Sequence, residues 1–454
     1  MAKINDLTTG PIFPALVKLS LPIIGTSFIQ MAYSLTDVLW LGRAGSATVT
    51  AVTTAGFFLW LLMALAYSTK AGTETLVAQA VGKKMPDKAR KIAENALTLS
   101  LIGSFIAFVC ILIFAPQLLS FFELETEVRS QALAYLRVVS FGMCFSAMNP
   151  VLSAIYLGHG DSRTPFFVNS CGLIVNIVLD PLLIFGLWFF PVLGATGAAI
   201  ATVFANILVF TIFLIKHKRV TSYIPHLKLL IFPQKDIALA ILKIGIPISV
   251  SHVAFCLFSM YIGRIVSAYG TIPLGVQNIG ANIEALSWNT ALGFATALSS
   301  FTGQNYGAGK HERIRQGYYI VLGLSVSLGL IATIAFAFYG YQIFSLFSTE
   351  TEMILTGEMY LLILAVSQIF MCIEITSAGG FYGLGRSKTP SAISILFTGL
   401  RVPAALLVVT YTSYAYAGVW WCVSISSVFK GVIVMTLYIF ALKRFAKEAS
   451  RSVR

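Results

Sequence analysis

Two aspartates lie inside long apolar stretches of the sequence, where a charged side chain is costly. Asp37 is the only charged residue between positions 27 and 42, and Asp180 lies in "NIVLDPLLIFG". Burial favours the protonated form of a carboxylate, and a second nearby carboxylate strengthens that preference. Carboxylate oxygens are also ligands for hard cations. The pair is predicted to hold a proton or Na⁺; the alternative is a structural hydrogen-bonded pair that joins two helices.

Two neutral oxygen donors complete this predicted cation site. Asn176 precedes Asp180 by one helical turn and shares its face. Pro181 cannot donate a backbone hydrogen bond, so it leaves a free carbonyl oxygen nearby. Thr202 lies at a similar depth on the next span. We therefore predict a possible Na⁺ or proton site at Asp37, Asn176, Asp180 and Thr202.

A second set of side chains is a candidate lining for a substrate cavity. Methionine and aromatic side chains suit adaptable apolar pockets, although ordinary packing explains them equally well. Acids inside apolar spans can contact a cationic substrate. The candidates are Met31, Tyr33, Glu284, Trp288 and Glu374.

The elements that carry these residues are membrane-spanning helices. The 454 residues are 57% hydrophobic and 11% charged, against about 25% charged in soluble domains. Runs long enough to cross a bilayer recur along the chain. The sequence predicts an all-α polytopic membrane protein with twelve spans, at 14–41, 47–80, 93–116, 131–157, 165–188, 193–216, 238–266, 273–306, 317–341, 355–381, 392–411 and 415–442.

Charge predicts the orientation of these spans. The loops at 82–91 and 309–315 are strongly basic, whereas those at 123–127 and 348–352 are acidic. Because basic loops mark the cytoplasmic side, both termini are predicted to be cytoplasmic. The net charge of +13 then reflects this bias and attraction to anionic lipid, and no nucleic-acid partner is expected. The six cysteines show no metal-binding spacing, so no cofactor is predicted.

The second half of the sequence repeats the first with a constant shift of 225 residues. "LVKLSLPI" matches "ILKIGIPI", and "GDSRTP" matches "GRSKTP". Six spans per copy give both copies the same orientation, as in parallel-repeat transporters. We predict pseudo-twofold-related lobes at 1–216 and 238–454, joined by a cytoplasmic connector at 217–237, with a basic tail at the end.

The two aspartates have no acidic counterparts in the second copy of the repeat. Asp37 aligns with Ile262, and Asp180 aligns with Ala405. Only the first copy therefore carries both acids, which predicts that the coupling chemistry lies in that copy.

These motifs together resemble the multidrug and toxic compound extrusion (MATE) family over nearly the whole chain. The resemblance rests on "YSLTDVLWLG", "VAQAVG", "TGQNYGAG", "GDSRTP", "GLGRSKTP" and "NIVLDPLLIFG". It implies a V-shaped pair of six-helix lobes and cation-coupled export by alternating access. The chain looks closest to the DinF-like branch, in which Asp37, Asn176, Asp180 and Thr202 would take the coupling role. The NorM-like branch has an acid on span seven, and residues 245–264 contain none.

The resemblance implies a specific function. We expect a monomeric H⁺- or Na⁺-coupled antiporter of organic, often cationic and amphipathic compounds, in the inner membrane of a prokaryote. The alternative within the same superfamily is a flippase for lipid-linked precursors or a metabolite exporter. An enzyme is not expected, because no catalytic constellation is visible at one depth.

Overall fold

The computed structural model describes residues 6–120, 124–219 and 227–452, apart from the side chains of residues 34, 38, 46, 57, 60–67, 217–219 and 445–452. Part of the predicted connector, residues 220–226, lies outside the described residues. The long elements in the described residues are all α-helices. They are α1 (Ile12–Ala44), α2 (Ser46–Gly82), α3 (Pro86–Ser120), α4 (Thr126–Gly158), α5 (Arg163–Phe185), α6 (Gly194–Arg219), α7 (Lys235–Ser267), α8 (Thr271–Gly307), α9 (His311–Ser345), α10 (Thr351–Gly383), α11 (Lys388–Tyr411) and α12 (Ala415–Ser452).

These helices confirm the prediction of an all-α polytopic membrane protein. In the part of the chain that the structure describes, ten helices are long and apolar enough to cross a membrane, and α2 and α8 match them in length. The predicted fifth span extends three residues too far. The helix α5 ends at Phe185 because Gly186 takes φ 67°, a left-handed conformation that terminates a helix.

The two halves of the chain pack their helices in the same way. In the first half, α4 contacts α2, α3 and α6, and α5 packs on α6. In the second half, α10 contacts α8, α9 and α12, and α11 packs on α12. Each of these contacts therefore recurs six helices later, which is the structural counterpart of the sequence repeat.

The chain divides into two compact units that differ from the two sequence halves. The first unit contains Gly25–Ser249, and the second contains Leu7–Ile24 and Val250–Arg454. The boundaries inside α1 and α7 are 225 residues apart, and each follows an internal proline, Pro22 or Pro247, by two residues. A proline interrupts the helical hydrogen bonds at that point. Relative to the predicted lobes, the units therefore exchange the first parts of α1 and α7.

Close packing holds the first part of α7 in the first unit. A Cβ atom on Gly245 would overlap the backbone carbonyl of Ser68, and one on Gly72 would overlap the carbonyl of Ile241. Helices approach this closely only where small residues face each other. This contact fixes the start of α7 against α2.

We expect Gly245→Ala to destabilise the protein by about 1–3 kcal/mol, because the added methyl group has no space. Gly323→Ala is the matched control, since nothing beyond its chain neighbours and its own helix backbone lies within 4 Å of the place that its methyl group would take. The control is expected to be neutral or to gain up to about 1 kcal/mol from helix propensity. Thermal unfolding in detergent measures both, and equal melting temperatures would contradict this packing.

In the second unit, hydrogen bonds hold the segment that precedes α1. The Arg313 guanidinium donates to the carbonyl oxygens of Leu7, Thr9 and Gly10 at 2.9–3.2 Å. Gln304, from the "TGQNYGAG" motif, accepts a 3.1 Å hydrogen bond from the Leu7 backbone. This motif therefore helps to anchor the segment that precedes α1.

We expect Arg313→Ala to release this segment, because three carbonyl oxygens lose a charged donor worth about 1.5–3 kcal/mol each at most. Hydrogen–deuterium exchange of the peptide that contains residues 7–10 should rise. Arg315→Gln, at an exposed residue whose ion-pair partner is Glu312, is the control. Unchanged exchange in Arg313→Ala would show that the contacts do not hold the segment.

Candidate functional site

The two predicted acids meet inside the first unit. Asp37 lies in the part of α1 that belongs to this unit, and Asp180 lies in α5. Asp180 is completely buried, and its carboxyl group lies within hydrogen-bonding reach of the Asp37 carboxyl group. Two carboxylates in one buried site repel each other, so the arrangement favours a shared proton or a bound cation. The arrangement therefore brings together the two residues that the sequence singled out.

Asn176 joins the pair one turn below Asp180. Its Nδ2 atom donates a 3.3 Å hydrogen bond to Asp180 Oδ1. Three buried oxygen atoms in this cluster have no hydrogen-bond donor among the described residues: Asp37 Oδ1, Asn176 Oδ1 and Asp180 Oδ2. Buried polar atoms are nearly always satisfied in native proteins. Three unsatisfied acceptors at one place suit a positively charged occupant.

Thr202 contacts Tyr33, which lies near the two aspartates. The Tyr33 hydroxyl and Thr202 Oγ1 lie 3.0 Å apart, and Tyr33 is close enough to both aspartates to interact with them electrostatically. The Thr202 carbonyl accepts a 2.9 Å hydrogen bond from Asn206. Tyr33, predicted for the substrate cavity, thus lies beside the two aspartates.

Tyr135 of α4 is a residue that the sequence analysis missed. It is buried and interacts electrostatically with both Asp37 and Asp180. A tyrosine within an apolar span is indistinguishable from a packing residue in sequence. The internal repeat carried a signal, because Tyr135 aligns with Tyr360, which interacts with Glu284 in the second unit.

The oxygen-rich cluster fits a proton or an alkali cation. Its donors are two carboxylates, an amide and a hydroxyl, which are hard oxygen ligands. Among the described residues, no group of three or more His, Cys, Asp or Glu side chains could hold a metal ion. Whether this site binds a coupling ion stays a prediction.

The acids of the second unit have partners of their own. Glu374 Oε2 lies 3.0 Å from Lys430 Nζ in a buried ion pair. Glu284 accepts a 3.0 Å hydrogen bond from Gln368, and Arg401 interacts electrostatically with both acids. Two acids and two bases thus form a cluster with balanced charge. A substrate contact at Glu284 or Glu374 stays a prediction.

The remaining candidates for the substrate cavity, Met31 and Trp288, belong to different units. Met31 is partly buried in the first unit, and Trp288 is 37% exposed in the second. Their role in substrate binding also stays a prediction.

A repeated bundle of membrane-spanning helices with ionisable groups buried inside both copies defines a class, the membrane transporters built from parallel repeats. The family can be stated as well. The chain belongs to the MatE family, whose model matches residues 22–182 and again residues 247–407. Both ends of the second match lie 225 residues after those of the first, as the internal repeat requires. The predicted family is confirmed.

Relatives and solved structures agree with this assignment. The chain is 27% identical to the "Probable multidrug resistance protein NorM" of Thermotoga maritima, over 93% of this chain and 91% of the relative. It is 26% identical to the "Probable multidrug resistance protein YoeA" of Bacillus subtilis, over 88% and 87%. A crystal structure of MATE in the bent conformation matches with a TM-score of 0.91 and 25% identity, over 99% of this chain and 100% of that one.

Proposed function

We propose that this protein is a secondary active multidrug efflux transporter that exchanges H⁺ or Na⁺ for organic compounds, often cationic and amphipathic. The names of the relatives support multidrug transport. The single observation that carries the cation coupling is the pair of the half-buried Asp37 and the buried Asp180, with three oxygen atoms that lack a donor among the described residues. On this proposal, the coupling site belongs to the first unit.

The proposed cycle uses the pair as a switch. In the outward-open state, Asp37 and Asp180 take up the cation, which neutralises them. The hydrogen bonds among Asp37, Asn176 and Asp180 rearrange, and α1 bends near Pro22. The cavity then changes shape, the organic substrate leaves outward, and the cation leaves to the cytoplasm.

The driving force for export depends on the charge of the exported compound. One inward charge gains about 2.3 kcal/mol per 100 mV. A tenfold substrate gradient costs about 1.4 kcal/mol. When the exported compound is itself a monovalent cation, the electrical contributions cancel, and only the chemical gradient of the coupling ion drives export.

The position of the acids also supports the DinF-like branch. Residues 245–264, which cover most of the membrane part of α7, contain no Asp or Glu. The NorM-like arrangement, as the family resemblance implies it, needs an acid there. We further propose that the protein works as a monomer in a prokaryotic inner membrane, with both termini in the cytoplasm.

Efflux from proteoliposomes tests this proposal. A panel of organic cationic dyes is loaded, and gradients of H⁺ and Na⁺ are imposed separately. We expect one of the two gradients to accelerate dye movement against its own gradient. Dye movement that neither ion gradient changes would contradict coupled antiport and indicate a passive pathway.

A further inference from the structure

The segment that leads into α7 lies against the charged end of α3 and has neither helix nor strand structure. Backbone N–H groups of this segment donate to three side-chain oxygens of α3. Lys228 donates to Glu94 at 3.1 Å, Ile231 to Thr98 at 3.1 Å, and Gln234 to Asn95 at 2.6 Å. We call residues 227–234 the strap.

The strap lies at the depth where α3 enters the membrane. Glu94 is the last charged residue of α3, and from Asn95 to its end at Ser120 the helix has no charged side chain. Irregular backbone is tolerated at this depth only when its polar groups are bonded within the protein. Glu94, Asn95 and Thr98, which are all buried, provide those bonds.

The strap has one side packed against the protein and one exposed side with large apolar residues. Leu227 and Leu229 pack inward against the core of the first unit, whereas Leu230 and Phe232 point outward and are 67% and 95% exposed. Two large apolar side chains exposed next to a membrane-entering helix can bury that apolar area in lipid.

Basic side chains flank the apolar pair on both sides. Lys228 precedes it and Lys235 follows it, and both are exposed. Asp236 is the one acidic neighbour in the sequence here, at the start of α7. This arrangement complements the surface of an anionic bilayer. The two apolar side chains can contact the acyl chains, and the flanking lysines can contact the phosphate groups.

We propose that the strap is a lipid-binding site, in which Leu230 and Phe232 insert into the adjacent leaflet and Lys228 and Lys235 bind the phosphate groups of anionic phospholipid. The strap thereby ties the start of α7 to the membrane surface. This site is separate from the acid pair and does not depend on the coupling ion.

The first experiment tests insertion. All six native cysteines are replaced, and a nitroxide is attached at Phe232→Cys or, as the control, at Met85→Cys in the exposed turn between α2 and α3. In phosphatidylglycerol vesicles, the label at 232 should collide more with oxygen and less with a water-soluble nickel complex than the label at 85. Equal exposure of the two labels to nickel would overturn the proposal.

The second experiment tests the lipid headgroup with intact cysteines. Phosphatidylglycerol is titrated into the detergent-purified protein, and the rise in melting temperature is recorded. Lys228→Gln combined with Lys235→Gln should raise the half-saturating lipid concentration about 25-fold, or about fivefold per lysine. Lys83→Gln combined with Lys84→Gln removes two exposed lysines of the α2–α3 turn and should change it less than about twofold.

Two outcomes of this titration would overturn the proposal. One is an equal effect of the two lysine pairs, which would indicate general attraction to charge. The other is an equal rise in melting temperature with inorganic phosphate, which would assign the site to a free anion. Phosphatidylcholine is expected to give a smaller rise than phosphatidylglycerol.

Discussion

Replacing Asp180 with asparagine will abolish cation-coupled efflux and leave the fold intact. Asparagine has nearly the same shape and retains an oxygen that can accept the hydrogen bond from Asn176. It cannot take up a proton, and it removes one of the two charges that attract Na⁺. An imposed tenfold gradient of the coupling ion sustains about a tenfold substrate gradient in a one-to-one exchanger, and this variant should sustain none.

Asp37→Asn should have the same effect, because both carboxyl groups contribute to one site. Asp236→Asn is the matched control, since Asp236 is an exposed acid in the first turn of α7. The control should retain the full substrate gradient. Undiminished coupled efflux in Asp37→Asn or Asp180→Asn would remove that residue from the coupling role.

Lys430→Met will destabilise the second unit by about 3–5 kcal/mol, because it leaves the buried Glu374 carboxylate without its partner. The Lys430–Glu374 pair has only 6% and 13% exposure, so water does not replace the lost contact. Thermal or denaturant unfolding in detergent measures the loss.

The double variant Lys430→Met and Glu374→Leu separates an unpaired charge from poor packing. It removes both members of the pair and leaves Arg401 to balance Glu284, so its stability should return close to wild type. The control Arg315→Gln breaks an exposed pair with Glu312 and should cost at most about 1 kcal/mol. A single variant as stable as the wild type would show that the pair is not buried in the functional protein.

The sequence predicted the helices well because a membrane span needs a minimum length of apolar residues. It also predicted the meeting of Asp37 and Asp180, because an acid in an apolar span is costly and needs a reason. Lys430 gave the same signal, a single charge within an apolar span, and was overlooked. Pattern alone did not identify Tyr135, whose neutral side chain gives no energetic signal in an apolar span.

The exchange of half-helices between the units lay beyond the sequence. The repeat shows which residues correspond, but it does not show which neighbours each helix packs against. Gly245 and Gly72 permit α7 to contact α2, yet a glycine in a membrane helix has many other uses. The three-dimensional packing was needed to place the boundaries after Ile24 and Ser249.

Cation release on substrate binding tests the central claim most directly. Purified protein is mixed with tetraphenylphosphonium in weakly buffered detergent, and free H⁺ and Na⁺ are followed with a pH indicator and a sodium electrode. The wild type should release one of these cations, and the double variant Asp37→Asn and Asp180→Asn should bind the compound and release neither. Equal release from the wild type and the double variant would contradict a coupling site at this acid pair.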